Sequence, residues 1–172
     1  VIQKHIAQTL AAGVLAVRDG GDAAAHVVRY KHEVADNRTS GFQLNSSGRA
    51  FYKPGRYGRI VGGEPLAAEV DLSGLKDQVS TIDQIDQIKL INSGLNSLTT
   101  FGEQTRPQFT RDELKAVVRL AKKNKQQVMV HANGETPVRE AVMARVSSIE
   151  HGFFMGRDNL ERMVDNRVFW VP

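Results

Sequence analysis

Six short strand-like segments alternate with helical ones along this chain, and no two consecutive strands are joined by a hairpin signal. That order constrains the fold more than any other feature, because strands separated by helices pair in parallel, each crossing from one end of the sheet to the other through a helix. The strand candidates are GVLAVRDGG (13–21), GFQLNSSG (41–48), DQIKLINSG (86–94), QQVMVHANG (126–134), VSSIEHG (146–152) and RVFWVP (167–172). Helical patterns occupy 1–12, where Ile2, Ile6 and Leu10 share a face, then 22–35, 71–84, 111–124, 136–145 and 157–166. Thr110 and Glu113 form a capping-box pair before the fourth of these, and Pro137 lies in the first turn of the fifth. Two longer excursions, RAFYKPGRYGRIVGGEP ending at Pro65 and LNSLTTFGEQTRPQF after residue 94, read as loops.

An open doubly wound sheet and an arc of a (β/α)₈ barrel both satisfy this order. Asp19, Lys89, His131 and His151 stand at or near the C-terminal ends of four different strands, where parallel β/α folds place their chemistry. RDGGD follows a strand but lacks the spaced glycines and the lysine of a phosphate loop, so a barrel with a polar mouth is the better reading. At 172 residues, 41% hydrophobic and 24% charged, the chain suits one domain, 1–172, with a real core.

Composition narrows the function. The net charge of +4 is scattered, and its densest run, KKNK at 122–125, closes a helix where cations complement the dipole; no nucleic-acid partner is expected. With no cysteine, disulfides and thiolate metal sites are excluded. No apolar run approaches the roughly 20 residues of a membrane span, and the first ten residues read as an amphipathic helix and not as a signal peptide. A soluble, cytoplasmic chain is expected, although a signal peptide upstream of Val1 is compatible with it.

Two histidines end strands in equivalent ways. Period-two alternation puts His131 on the side of Met129 and His151 on the side of Ile149, so both imidazoles are expected to face a barrel interior. Neutral imidazoles converging there are natural zinc ligands, and Gly134 and Gly152 let the backbone turn away. Lys89 interrupts the buried-looking QIKLI. Either its stem lies along the strand with the ammonium in solvent, or burial lowers its pKa and makes a neutral amine available for covalent or metal chemistry.

GVLAVRDGG, IKLINSG, VMVHANG and SIEHGFFM, in this order and spacing, resemble the metal-dependent amidohydrolase superfamily, specifically its imidazolonepropionase-like and prolidase-like members. The resemblance covers essentially the whole chain. It implies a (β/α)₈ barrel whose mouth holds one or two divalent ions, with zinc expected, and a metal-activated water attacking an amide or related C–N bond. It implies further that a carboxylated lysine on the fourth strand bridges two metals and that histidines ending the fifth and sixth strands bind one of them; Lys89, His131 and His151 match these positions. Asp19 resembles a turn residue of the family and not a ligand, and Glu150, alternating away from His151, is expected in a helix-facing salt bridge.

The superfamily also has a His-x-His pair ending the first strand and an aspartate ending the eighth. Neither has a matching place here, and His5, His26 and His32 fall in helical segments without a histidine two residues away. If 13–19 is strand two and 167–172 is strand seven, the chain is an internal piece of a longer enzyme, strands two to seven, with the catalytic aspartate beyond Pro172. Such a piece is expected to associate with itself through its open edges and, alone, to be nearly inactive. The first long loop carries Arg49, Tyr52, Arg56, Tyr57 and Arg59, cations and phenols that suit a substrate carboxylate, with Arg49 and Tyr57 the preferred contacts. The alternative is a solvated loop. A small-molecule or dipeptide substrate, cut by a dipeptidase or carboxypeptidase activity, is the refinement this suggests; the competing reading is a non-catalytic barrel fragment or binding scaffold.

Overall fold

The computed structural model describes residues 1–34, 41–66, 85–97 and 99–172. The helix expected over 71–84 lies outside the described residues.

Every strand pairing among the described residues is parallel. Strand β1 (Ala16–Asp19) pairs with β2 (Gln43–Ser46), and β3 (Ala50–Tyr52), β4 (Glu64–Pro65), β5 (Gln87–Ile91), β6 (Gln127–Ala132), β7 (Ser148–His151) and β8 (Phe169–Val171) form a sheet in the order β4-β3-β5-β6-β7-β8. The two sheets are parts of one surface. Residues 43–52 run as a single extended path that bends at Gly48 (φ 66°), where an added Cβ would lie 2.9 Å from the Ile85 side chain. Before the bend this path pairs with β1, and after it with β5, where Ala50 faces Lys89 and Phe51 faces Leu90. Between them the Asp86 amide donates to the Ser46 carbonyl at 2.8 Å and the Asp86 carboxylate accepts from the Ser46 amide at 2.7 Å.

The expectation that 49–65 is loop throughout is corrected by β3 and β4. Glycine, proline and arginine hide the strand signal in that composition, yet Phe51 is buried in the main core and a 3-10 turn at Arg59–Val61 returns the chain so that Phe51 pairs with Glu64. The second excursion does run without strand or helix from residue 95 to the capping residue Thr110, apart from residue 98, which is not described.

Helices α1 (Ile2–Ala11), α2 (His26–Val34), α3 (Arg111–Lys123) and α5 (Arg157–Asn166) fall within their expected segments, and α4 (Glu135–Met143) begins one residue before its own. The Asp22 carboxylate accepts from the amides of Ala24, His26 and Val27, which moves the start of α2 to His26. At α3 the capping box is complete: the Glu113 amide donates to the Thr110 hydroxyl at 3.3 Å and the Thr110 amide donates to the Glu113 carboxylate at 2.8 Å.

Alternation along the strands sorts the chemistry onto two faces. Ile88, Leu90, Val128, Val130 and Ile149 are fully or almost fully buried in one core with Leu114 and Val117 of α3 and Val138, Ala141 and Val142 of α4. Their neighbours in sequence, Gln87, Lys89, Met129, His131, Ser148 and Glu150, occupy the opposite face, and the register places Lys89 beside Met129 and His131 beside Glu150. A sheet whose second face carries so many buried polar groups must converge on itself or on a ligand, since isolated polar burial is costly.

Candidate functional site

Three adjacent strands deliver the expected residues to one place. Lys89 of β5, His131 of β6 and His151 of β7 line a cleft of about 230 Å³, together with Tyr57 and Leu95 from the two long excursions and Gly21 after β1. Lys89 is the middle residue of its strand and not its last, and its four-carbon stem spans the difference.

Burial dominates the electrostatics here. Lys89 is 8% exposed, and desolvation lowers its amine from 10.5 to about 8; the Glu150 carboxylate opposes this and the Arg18 guanidinium adds to it. His131 is lowered from 6.5 to about 4, first by burial, with the Lys89 and His151 charges contributing and a bond to the Gly94 carbonyl opposing. That bond, 3.1 Å from Nε2, assigns the proton of the neutral ring to Nε2 and leaves the Nδ1 lone pair free. His151 is lowered by burial and by Lys89, against Glu150. Both imidazoles are neutral at pH 7, and their ring centroids lie 5.0 Å apart at an interplanar angle of 68°.

The route by which His151 arrives differs from the expected one. Ile149 packs among the helices, so simple alternation would send His151 there too. Instead His151 has φ 69°, which turns its ring to the side of His131. The same register corrects Glu150. It faces the cleft side and not the helices, with Arg18 Nη2 3.3 Å away, Ser148 Oγ donating to it at 2.6 Å and Arg18 Nη1 donating to Ser148 at 3.3 Å. SSIEH contained the signal for this: in a strand with one helix-covered face, the apolar Ile149 marks that face and Ser148 and Glu150 the other.

Asp19 ends β1 and accepts from Ser46 Oγ at 2.8 Å; desolvation raises its carboxyl, against that hydrogen bond. Of the loop residues, Tyr57 lies against His131 with ring centroids 5.7 Å apart. Arg49 does not line the cleft and pairs with Glu64 at 3.1 Å, and Arg56 donates to the Arg106 carbonyl at 2.7 Å. Among the described residues no group of three or more His, Cys, Asp or Glu side chains converges to hold a metal, and the nitrogen groups that line the cleft are two imidazoles and an amine. As chemistry that set fits a borderline-soft divalent ion: both imidazoles are neutral, one has its tautomer set by a backbone carbonyl, and the amine is depressed towards its neutral form.

A sequence profile of the amidohydrolase family matches residues 1–164. Among solved structures, a Xaa-Pro dipeptidase with methionine bound in its active site is similar at TM-score 0.80 and 26% identity, over 99% of this chain and 45% of that one. An amidohydrolase (TM-score 0.75, 23% identity, 97% of this chain and 44% of that one) and the ochratoxinase of A. niger (TM-score 0.71, 20% identity, 97% and 43%) share the fold. The chain therefore spans less than half the length of the structures it matches. No curated protein sequence matches it. The parallel strands and their helices are an arc of the TIM barrel of these structures.

Proposed function

The chain belongs to the amidohydrolase family, and from that premise we propose that it supplies part of the metal-holding mouth of a hydrolase of amide or related C–N bonds. One observation carries the reading: Lys89, His131 and His151, from three neighbouring strands, meet at a single cleft with both imidazoles in their neutral form. Lys89, His131 and His151 would hold the ion, with zinc the choice that nitrogen ligands favour. When bound, such an ion polarises the scissile carbonyl and makes water acidic enough to attack near neutral pH.

The chain's own residues have separate tasks. His131 presents Nδ1 because the Gly94 carbonyl engages Nε2. Neutral Lys89 could attack carbon dioxide through its amine nitrogen, forming an N–C bond and releasing a proton, and the resulting carbamate would add an anionic oxygen donor to the two imidazoles. Tyr57 packs on His131 and walls the cleft where a small amide or dipeptide would lie. Arg49, held by Glu64, becomes a contact for a substrate carboxylate only if that pair opens. The general base and further ligands of a complete site would come from outside these residues, so the isolated chain is expected to be nearly inactive and to associate through its open edges.

Elemental analysis of protein purified without chelators tests this, with Lys89→Ala and His131→Ala for comparison. Near-stoichiometric zinc in the parent chain, lost in both variants, is the expected result. Absence of metal from all three would return the chain to the scaffold reading.

A further inference from the structure

His151 reaches the cleft only because its backbone takes a conformation that side chains disfavour. The Gly152 amide donates to the Glu150 carbonyl at 3.0 Å while His151 between them has φ 69°, the arrangement of the rare γ-turn of positive φ. A strained residue at a site persists only where its surroundings over-determine it. Two contacts do so here. The Trp170 indole Nε1–H, from the neighbouring strand β8, donates to the His151 carbonyl at 2.9 Å. Gly152, itself at φ 65°, leaves the space this needs, since a Cβ there would lie 2.6 Å from Met155 Cε and 2.9 Å from Trp170 Nε1. Trp170 is 47% exposed, so packing alone does not account for its placement.

We infer that Trp170 is a positioning residue for the metal centre: its indole hydrogen bond holds the γ-turn that aims the His151 imidazole at His131 and away from the helices. The inference rests on the reading of His151 as a ligand. Without the indole donor the His151 carbonyl loses its partner, the peptide unit can relax towards ordinary strand geometry, and alternation then turns the imidazole towards the helix-covered face.

The test uses the full chain and Trp170→Phe, which keeps an aromatic ring and removes the donor. Zinc affinity is measured by competition with a chromophoric chelator, and the imidazole nitrogen resonances of both histidines are followed by NMR in the zinc-free protein. The expected result is zinc binding weakened by about tenfold, the size typical of losing a group that orients a ligand. His151 resonances should shift or broaden while those of His131 stay in place. Unchanged His151 resonances with zinc affinity within about twofold of the parent would overturn the inference, as a purely structural tryptophan would leave both alone. If the parent binds no zinc, the metal reading fails, and the zinc-free resonances still decide whether Trp170 orients His151. Should the variant not fold, the parent's indole proton decides: slow exchange with solvent supports the bond to His151, and exchange at the rate of free indole refutes it.

Discussion

Replacing Lys89 by methionine should make this protein more stable while abolishing the metal binding proposed for it. Lys89 is 8% exposed, with its amine at about 8 against 10.5 in solvent, and burial is the largest cause. A base depressed by that much carries a penalty of about 3 kcal/mol in its charged form, at about 1.4 kcal/mol per tenfold in proton affinity. Methionine has a similar length and no charge, so relief of about 2–3 kcal/mol is expected at pH 7. The pH dependence has a definite sign. Below about pH 8 the amine is protonated in both the folded and the unfolded chain, and the penalty is whole; from there to 10.5 only the unfolded chain keeps its proton, and the penalty fades. Urea denaturation of both proteins, free of metal and carbon dioxide, at pH 6.5, 8.5 and 10 would read this directly. The stability gap should be largest at pH 6.5 and should narrow steadily above about pH 8. A variant less stable than the parent at pH 6.5, or a gap that does not narrow, would refute the burial argument. A protein that retains so costly a lysine fits the general pattern in which sites are strained or desolvated at the expense of stability.

Two further outcomes are expected. Thr110→Ala removes one half of the capping box at α3 and should cost about 1 kcal/mol, read from the same urea curves, with zinc content unchanged because α3 carries none of the cleft residues. Among the described residues strand β8 pairs with β7 alone, and it presents Phe169 and Trp170, 74% and 47% exposed, so sedimentation velocity should show concentration-dependent association that Phe169→Glu weakens. A monomer at every concentration would remove the open-edge argument.

Much of this architecture is legible in residue order. The order of strand and helix, the parallel pairing, the capping box at Thr110 and the placing of Lys89 and His131 follow from short-range rules: period-two alternation, capping chemistry and the lack of hairpin turns. His131 obeys alternation because Met129, two residues before it, lies on the same face of a regular strand. The misreadings arise where those rules stop. Strands β3 and β4 lie in a stretch rich in glycine and arginine, and what makes them strands is pairing with residues as distant as Lys89 and Leu90. Arg49 reads as a free cation until folding brings Glu64 to it.

What residue order determined by itself, then, is where six of the strands lie, that they run in parallel, and that a lysine and two histidines stand near their ends. Tertiary structure decided the directions of the side chains at the last step. Glu150 turns to Arg18, 132 residues away in sequence, and His151 abandons alternation because an indole from the next strand, 19 residues on, grips its carbonyl. Local preference sets the backbone's ordinary states; a residue is kept in an uncommon one only by contacts that exist once the chain has folded.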